Sequence, residues 1–239
     1  MAGGNVKTFV IAGILTILLF LVINHLNTSM DEGREEAIVS KMDEVLEDFE
    51  DIESSYYLME YLSATNASCD AVIKQLSYLE QRLWRLDNKI KEYYEIVQDF
   101  GGEEFYLREK RRLNRRALIQ LSMLAKVQEY CNYNQTVILY FYGNCKTDPR
   151  CGQQGFVLSY INEKIEPEIV IFSFDADRDV ESVKTLMHAY EVNKLPCMVI
   201  EGHTHCGLRN NQETEGLLCK YSPHLSICGK KEVNSTESA

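Results

Sequence analysis

Apolar residues fall along this chain in three successive textures, and each predicts a different kind of element. Thr8 to Ile23 is an uncharged, mostly apolar run, which Asn24, His25 and Leu26 extend to roughly 19 residues, the lower end for a bilayer-spanning helix. Between residues 31 and 130 the apolar positions recur three and four apart, the spacing of a helix face. From residue 136 onward the pattern breaks into short β-rich runs separated by amphipathic segments.

The middle texture is the most regular. Ile38, Met42, Val45, Phe49, Ile52, Tyr56 and Met59 form one seam. Val72, Leu76, Leu79, Leu83, Leu86, Ile90, Tyr93 and Val97 form a second. The 3.5-residue period predicts a coiled coil or a narrow helical bundle, and no proline interrupts it. A third segment, about 103–130, carries Tyr106, Leu113, Ala117, Leu121, Leu124 and Val127. The polar stretch Ser63–Ser68 and the pair Gly101-Gly102 predict the breaks. Short connections predict antiparallel neighbours, so the three helices of a stalk at 31–131 run out, back and out again. Cys69 begins the second helix and Cys131 ends the third, which places both at the same far end and predicts a structural disulfide. A helix of this length predicts a spacer that holds the C-terminal domain roughly 50 Å from its start.

The last texture gives β-α-β-α-β-β-α over residues 133–222. Val137–Tyr142 reads as a strand, followed by a helix over Gln153–Ile165 with Phe156, Val157, Tyr160, Ile161 and Ile165 inward. Glu168–Phe174 is nearly continuous in apolar residues, as a strand covered on both faces requires. Asp179 is placed to cap a helix running through Val192. Met198–Ile200, a turn near Gly202-His203, a strand near Cys206–Leu208 and a helix over Gln212–Tyr221 complete the order.

Charge and cysteine content set the compartment. The net charge of −11 argues against nucleic acid as a partner. The stretch from Asn24 to Met30 offers no small-residue cleavage site, which favours an anchor at 8–26 over the rival reading, a cleaved signal peptide. Lys7 before the run, against Asp31, Glu32, Glu35 and Glu36 after it, puts residues 1–7 in the cytoplasm and the rest outside. That makes a single-pass cell-membrane protein whose first partner is the lipid bilayer. The chain's eight cysteines then read as disulfides first. Sequons at Asn27, Asn66, Asn134 and Asn234 permit glycosylation. The basic run Arg108, Lys110, Arg111, Arg112, Arg115 and Arg116 has two readings: contact with anionic headgroups, or pairing with the acids of helix one. The regular seam also leaves pairing between copies of the chain open.

The chemistry concentrates at Cys145 and Cys151, between the first strand and the helix after it. Thiol-disulfide exchange needs an exposed thiolate and a second thiol to resolve the mixed disulfide. Asp148-Pro149 is a cap followed by a first-turn proline, which sets Cys151 at the third helical position and Cys145 in a loop. The Asp148 carboxylate disfavours a nearby thiolate, whereas Lys146 and Arg150 favour one. The element order, this cysteine pair and Leu195-Pro196 before the third strand together resemble the thioredoxin-like superfamily. That resemblance implies a redox centre at Cys145 and Cys151, with a cis-proline at Pro196 packed against it. The strand departs from the family in carrying Tyr140 where a buried acid is usual, and Asn144 replaces the tryptophan that often precedes the first cysteine. Leu139–Tyr142, Cys151–Gly155 with Leu158–Tyr160, Phe172–Asp175 and Val183–Leu186 also resemble archaeal membrane-anchored thioredoxin-like proteins with a helical stalk and no assigned activity.

Two functions are expected on these grounds. One is a thiol-disulfide oxidoreductase or isomerase acting on exported proteins, with Cys145 attacking, Cys151 resolving and Pro196 docking substrate. The other is a redox-inactive adaptor that binds a protein partner and whose disulfides are structural. Cys197 reads as a packed thiol or a third redox thiol. Cys219 and Cys228 tie the tail at 223–239 to the last helix, with Cys206 as a competing partner. His203, His205, Cys206 and His224 are soft ligands without a readable metal spacing, which leaves a metal-handling module as a distant third reading, with no metal site and no cofactor assigned.

Overall fold

The computed structural model describes residues 3–61, 66–97, 103–145 and 147–229. Three long helices come first: α1 (Gly3–Tyr61), α2 (Asn66–Val97) and α3 (Glu103–Cys131). The predicted breaks at Ser63 and at Gly101-Gly102 lie outside the described residues. No break separates the apolar run from the first stalk helix. Thr8–Met30 is long and apolar enough to cross a membrane, none of it is buried, and α1 continues through it without interruption.

Buried residues follow the two seams. Ile38, Met42 and Ile52 of α1 meet Val72, Leu76, Leu79, Leu83, Leu86, Ile90 and Tyr93 of α2 in one core. The side chains of Val45, Phe49, Tyr56, Met59 and Val97 lie outside the described set. Pairing across the bundle fixes the directions. Arg82 of α2 reaches Glu44 of α1 at 2.9 Å, and Arg112 of α3 reaches Asp43 at 3.2 Å. Tyr93 packs edge-on to Phe105 and Tyr94 stacks on Tyr106, so the end of α2 lies beside the start of α3. Cys69 and Cys131 are joined at the opposite end, with Cα atoms 5.6 Å apart.

The rest of the chain is β1 (Thr136–Tyr142), α4 (Pro149–Ile165), β2 (Ile169–Asp175), α5 (Glu181–Ala189), β3 (Cys197–Ile200), β4 (His203–Cys206) and α6 (Asn211–Tyr221), closed by a 3-10 turn at Ser226–Gly229. The small mixed sheet has the order β2-β1-β3-β4, with β1 and β2 parallel and the other pairs antiparallel. The Glu166-Pro167 and Leu195-Pro196 bonds are cis.

Alternation along the strands gives each face its own cover. Ile138, Tyr140, Tyr142, Met198 and Ile200 pack against Cys151, Leu158, Ile161 and Ile165 of α4 and Leu218 of α6. Leu139, Phe141, Phe172, Phe174 and Val199 face the other way and join the core of the helical bundle. There α5, only nine residues long, shares the sheet face with α3.

This corrects the expected spacer. The sheet does not sit beyond the end of α3 but lies along its flank. Gln128 donates to the Gln135 carbonyl at 2.6 Å near one end, and Lys110 donates to the Tyr142 hydroxyl at 3.0 Å near the other. β1 therefore runs antiparallel to α3. The physical reason is the second apolar face of the sheet, which nine residues of α5 cannot cover and which water would otherwise meet.

Smaller expectations also change. Phe156 is 78% exposed and Tyr160 is exposed, not inward. The buried face of α4 is Cys151, Gln154, Leu158, Ile161 and Ile165, a three-and-four pattern that starts from the cysteine. Asp179 does not cap α5; its carboxylate takes Lys184 at 2.6 Å, and the N-cap position is Val180. α5 stops at Ala189, just before Glu191 turns left-handed. β4 ends at Cys206, ahead of the positive-φ Gly207.

Candidate functional site

Cys145 and Cys151 are joined at the C-terminal end of β1, with Cα atoms 5.3 Å apart. Asp148 caps α4 by accepting from the Arg150 N–H at 3.1 Å, and Pro149 is the first helical residue. Cys151 thus occupies the third position of the helix. The two sulfurs differ sharply in access. Cys145 is exposed, whereas Cys151 is 2% exposed. Both lie near the Gly143 carbonyl oxygen, at 3.7 Å and 3.6 Å.

Three loops close on this point. A Cβ on Gly143 would meet Leu195 Cδ1 at 3.1 Å and Asp177 Oδ2 at 3.2 Å, so the β1–α4 loop sits against both the β2–α5 loop and the Leu195-Pro196 segment. Gly207 donates to the Pro196 carbonyl at 2.7 Å, which ties that segment to the end of β4. Cys145, Cys151 and Pro196 therefore belong to one end of the sheet.

The electrostatics around the pair are mixed. Asp148 is clamped by the Arg150 guanidinium at 2.7 and 2.8 Å, which holds its carboxyl below the usual range. Its negative charge stays at the helix start, where it takes up an amide that could otherwise favour a thiolate. Tyr140 donates its hydroxyl to the Cys151 carbonyl at 2.5 Å. Burial, then the charge of Asp148, pushes the Tyr140 pKa upward, so it stays a neutral donor. Lys146 lies outside the described residues.

Behind this end of the sheet lies a polar cluster whose groups come from the bundle as well as the strands. Lys110 of α3 is 1% exposed and is held by the Asp87 carboxylate of α2 and by Tyr142. Lys91 takes the other Asp87 oxygen at 2.6 Å. Asn114 donates to the Asp175 carbonyl at 3.1 Å, and Arg178 pairs with the Asp175 carboxylate at 2.8 Å. Of the two readings of the basic run, pairing with helix one holds for Arg112 with Asp43, while Lys110 turns instead to helix two.

The remaining cysteines are all paired. Cys197 and Cys206 stand directly opposite each other on β3 and β4 and are joined. Their side chains belong to the core shared with the bundle, whereas Cys151 belongs to the opposite face. Cys197 is thus neither a packed thiol nor a third thiol at the site. The two-residue Glu201-Gly202 turn, both with positive φ, sets this pairing and is the signal in the sequence that could have found it. Cys219 is joined to Cys228. His203 and His205 pack on the Tyr221 ring, and the Cys206 sulfur is already bonded. Among the described residues no group of three or more His, Cys, Asp or Glu side chains could hold a metal ion. An open groove of about 640 Å³ lined by Glu36, Asp43, Glu47, Phe105 and Arg108 contains none of the cysteines.

No known protein family matches the chain, and no curated protein matches it. Among solved structures, a malarial protein is similar over 37% of this chain and 99% of its own, at 15% identity and a TM-score of 0.32. Thioredoxin-2, a component of malaria parasite protein secretion machinery, is similar over 36% of this chain and 84% of its own, at 16% identity and a TM-score of 0.32.

Proposed function

We propose that this chain is a membrane-anchored thiol-disulfide oxidoreductase, with residues 133–222 a thioredoxin-like domain outside the cytoplasm and residues 1–7 inside. The anchor is Thr8–Leu26 at the start of α1. The observation that carries the reading is the asymmetry of the Cys145–Cys151 pair: one sulfur open to a partner, the other buried at a helix start directly behind it. Exchange needs this arrangement, because attack is confined to one sulfur and resolution to the other.

In the reducing direction, the Cys145 thiolate attacks one sulfur of a substrate disulfide, and the other substrate sulfur leaves as a thiolate and takes a proton. The Cys151 thiol then loses its proton and attacks the Cys145 sulfur. The second substrate thiolate leaves and is protonated in turn. Two electrons and two protons pass from the Cys145/Cys151 dithiol to the substrate, and the Cys145–Cys151 bond forms. The Leu195-Pro196 segment supplies the backbone against which the substrate strand lies. Exported proteins are the substrate class.

The test is the reduction potential of the pair, measured with insulin reduction on the full chain in detergent beside Cys145→Ser. We expect a potential above about −300 mV, the region of exchangeable disulfides, and loss of activity in the variant. A lower potential with no Cys145-dependent activity leaves the second reading, a redox-inactive adaptor. The Asp148 carboxylate at the helix start, which disfavours a thiolate there, is the observation on that side.

A further inference from the structure

Cross-bundle contacts fix the direction in which the cysteine pair points. α1 leaves the apolar run at Met30 and continues outward. α3 runs parallel to it, with Arg112 level with Asp43, and β1 runs antiparallel to α3, from Gln135 beside Gln128 to Tyr142 beside Lys110. The C-terminal end of β1 therefore faces back toward the apolar run. Its height is set by two independent rungs. Arg112–Asp43 puts Lys110 level with about residue 41, and Arg82–Glu44 puts Asp87, on the descending α2, level with about residue 39. Both fall some ten residues past Met30, or roughly 15 Å along the helix. Cys145 follows Tyr142 on the same side.

We propose that the substrate of this site is a cysteine pair held close to the bilayer, on the juxtamembrane extracytoplasmic segment of a second membrane-anchored protein, and not a freely diffusing exported protein. The proposal rests on the exchange reading and on the anchor at Thr8–Leu26. The site opens toward the headgroup layer about 15 Å past Met30 and about 21 Å past Leu26, room for an extended segment or one layer of secondary structure but not for a globular domain ~30 Å across. A segment tethered in the same membrane is already held at that height, and its effective concentration there is high.

The experiment uses the full chain with Cys151→Ser in phosphatidylcholine vesicles, so that the mixed disulfide with Cys145 accumulates. The probe is one peptide bearing a disulfide to a good leaving group, supplied in three forms. It is soluble, lipid-anchored through a short linker, or lipid-anchored through a rigid helical spacer that lifts the disulfide about 60 Å. We expect trapping to be at least about tenfold faster with the short anchor than with the long one at equal surface density. A second protein, with about 14 helical residues inserted after Gly33, raises the site by roughly 21 Å and should move the preference toward longer spacers. Equal rates for the two anchors, or a preference the insertion does not move, overturn the proposal while leaving exchange on the soluble peptide intact. No trapping in any arm overturns the exchange reading itself, and this inference with it.

Discussion

Replacing Lys110 by methionine should test the buried polar joint between the bundle and the sheet. Lys110 is 1% exposed, and its ammonium is held by Asp87 and the Tyr142 hydroxyl. Burial works to raise the Asp87 pKa, but Lys110 and then Lys91 outweigh it and bring the carboxyl down to about 2. Relative to a usual value of ~3.9, that depression corresponds to roughly 2–3 kcal/mol of native stability. Because the folded pKa is lowered, this stability is complete above about pH 4 and is lost as pH falls toward 2. A second route agrees in scale. Removing one partner of a buried pair costs ~3–5 kcal/mol, less here because Lys91 remains on Asp87. We expect Lys110→Met to cost about 2–3 kcal/mol at pH 7. The loss should shrink as pH falls through the range in which Asp87 protonates. Lys110→Met with Asp87→Leu should recover most of it, because no buried charge is then left unpaired; Lys91, which loses Asp87, is exposed to water. The assay is urea unfolding of the full chain in detergent, followed by circular dichroism at pH 7, 4 and 2. A single-variant cost under about 1 kcal/mol at pH 7, a cost independent of pH, or a double variant no better than the single would refute the reasoning.

Burial, and then the nearby Glu166, pushes Glu80 up to a pKa of about 7, so the folded state keeps its proton after the unfolded chain has lost one. Stability should therefore fall between about pH 4.5 and 7. Glu80→Gln should stabilise by about 1–3 kcal/mol at pH 8 and do little at pH 4, measured by denaturant midpoints; the same gain at both pH values would refute this. The Cys69–Cys131 bond closes 62 residues of sequence, for which chain entropy sets a contribution of roughly 4 kcal/mol. Replacing both by alanine should lower stability by about 2–4 kcal/mol, read from unfolding midpoints. Asn210 and Glu213 cap α6 reciprocally at 2.9 and 3.0 Å. Asn210→Ala should cost about 1 kcal/mol in a thermal melt and leave the exchange rate of Cys145 unchanged.

The helices and strands were legible where period alone decides. Leu76, Leu79, Leu83, Leu86 and Ile90 are buried because a 3.5-residue seam has one dry side, whatever the partner. The polar joint was not legible. Lys110, Asn114 and Gln120 are all buried on α3, yet in sequence they belong to the least regular of the three segments, and Lys110 to a basic run. Their partners lie far off along the chain: Asp87 and Tyr142 for Lys110, Asp175 for Asn114, and Leu76 for Gln120. A charged residue reads as exposed until its counter-group is known, and only the tertiary arrangement supplies that. Phe156 failed for a different reason. The apolar residues of α4 allow two faces one position apart, and Cys151, a small hydrophobe when bonded, decides between them. At the cysteine pair itself, the Asp148-Pro149 start of α4 was readable from local chemistry, whereas the access of Cys145 and the approach of Leu195 and Asp177 to Gly143 depend on loops meeting.

The face of the sheet that α3 covers also bears on how the chain assembles. During synthesis α3 is complete before the first residue of β1 is made. Phe141, Phe172, Phe174 and Val199 thus emerge beside a helix already able to receive them, and the last-made layer has a template rather than open water. The same order makes the reverse cut costly: a fragment beginning at residue 133 has lost the helix that its strands fold onto, and presents those side chains as a bare adhesive surface.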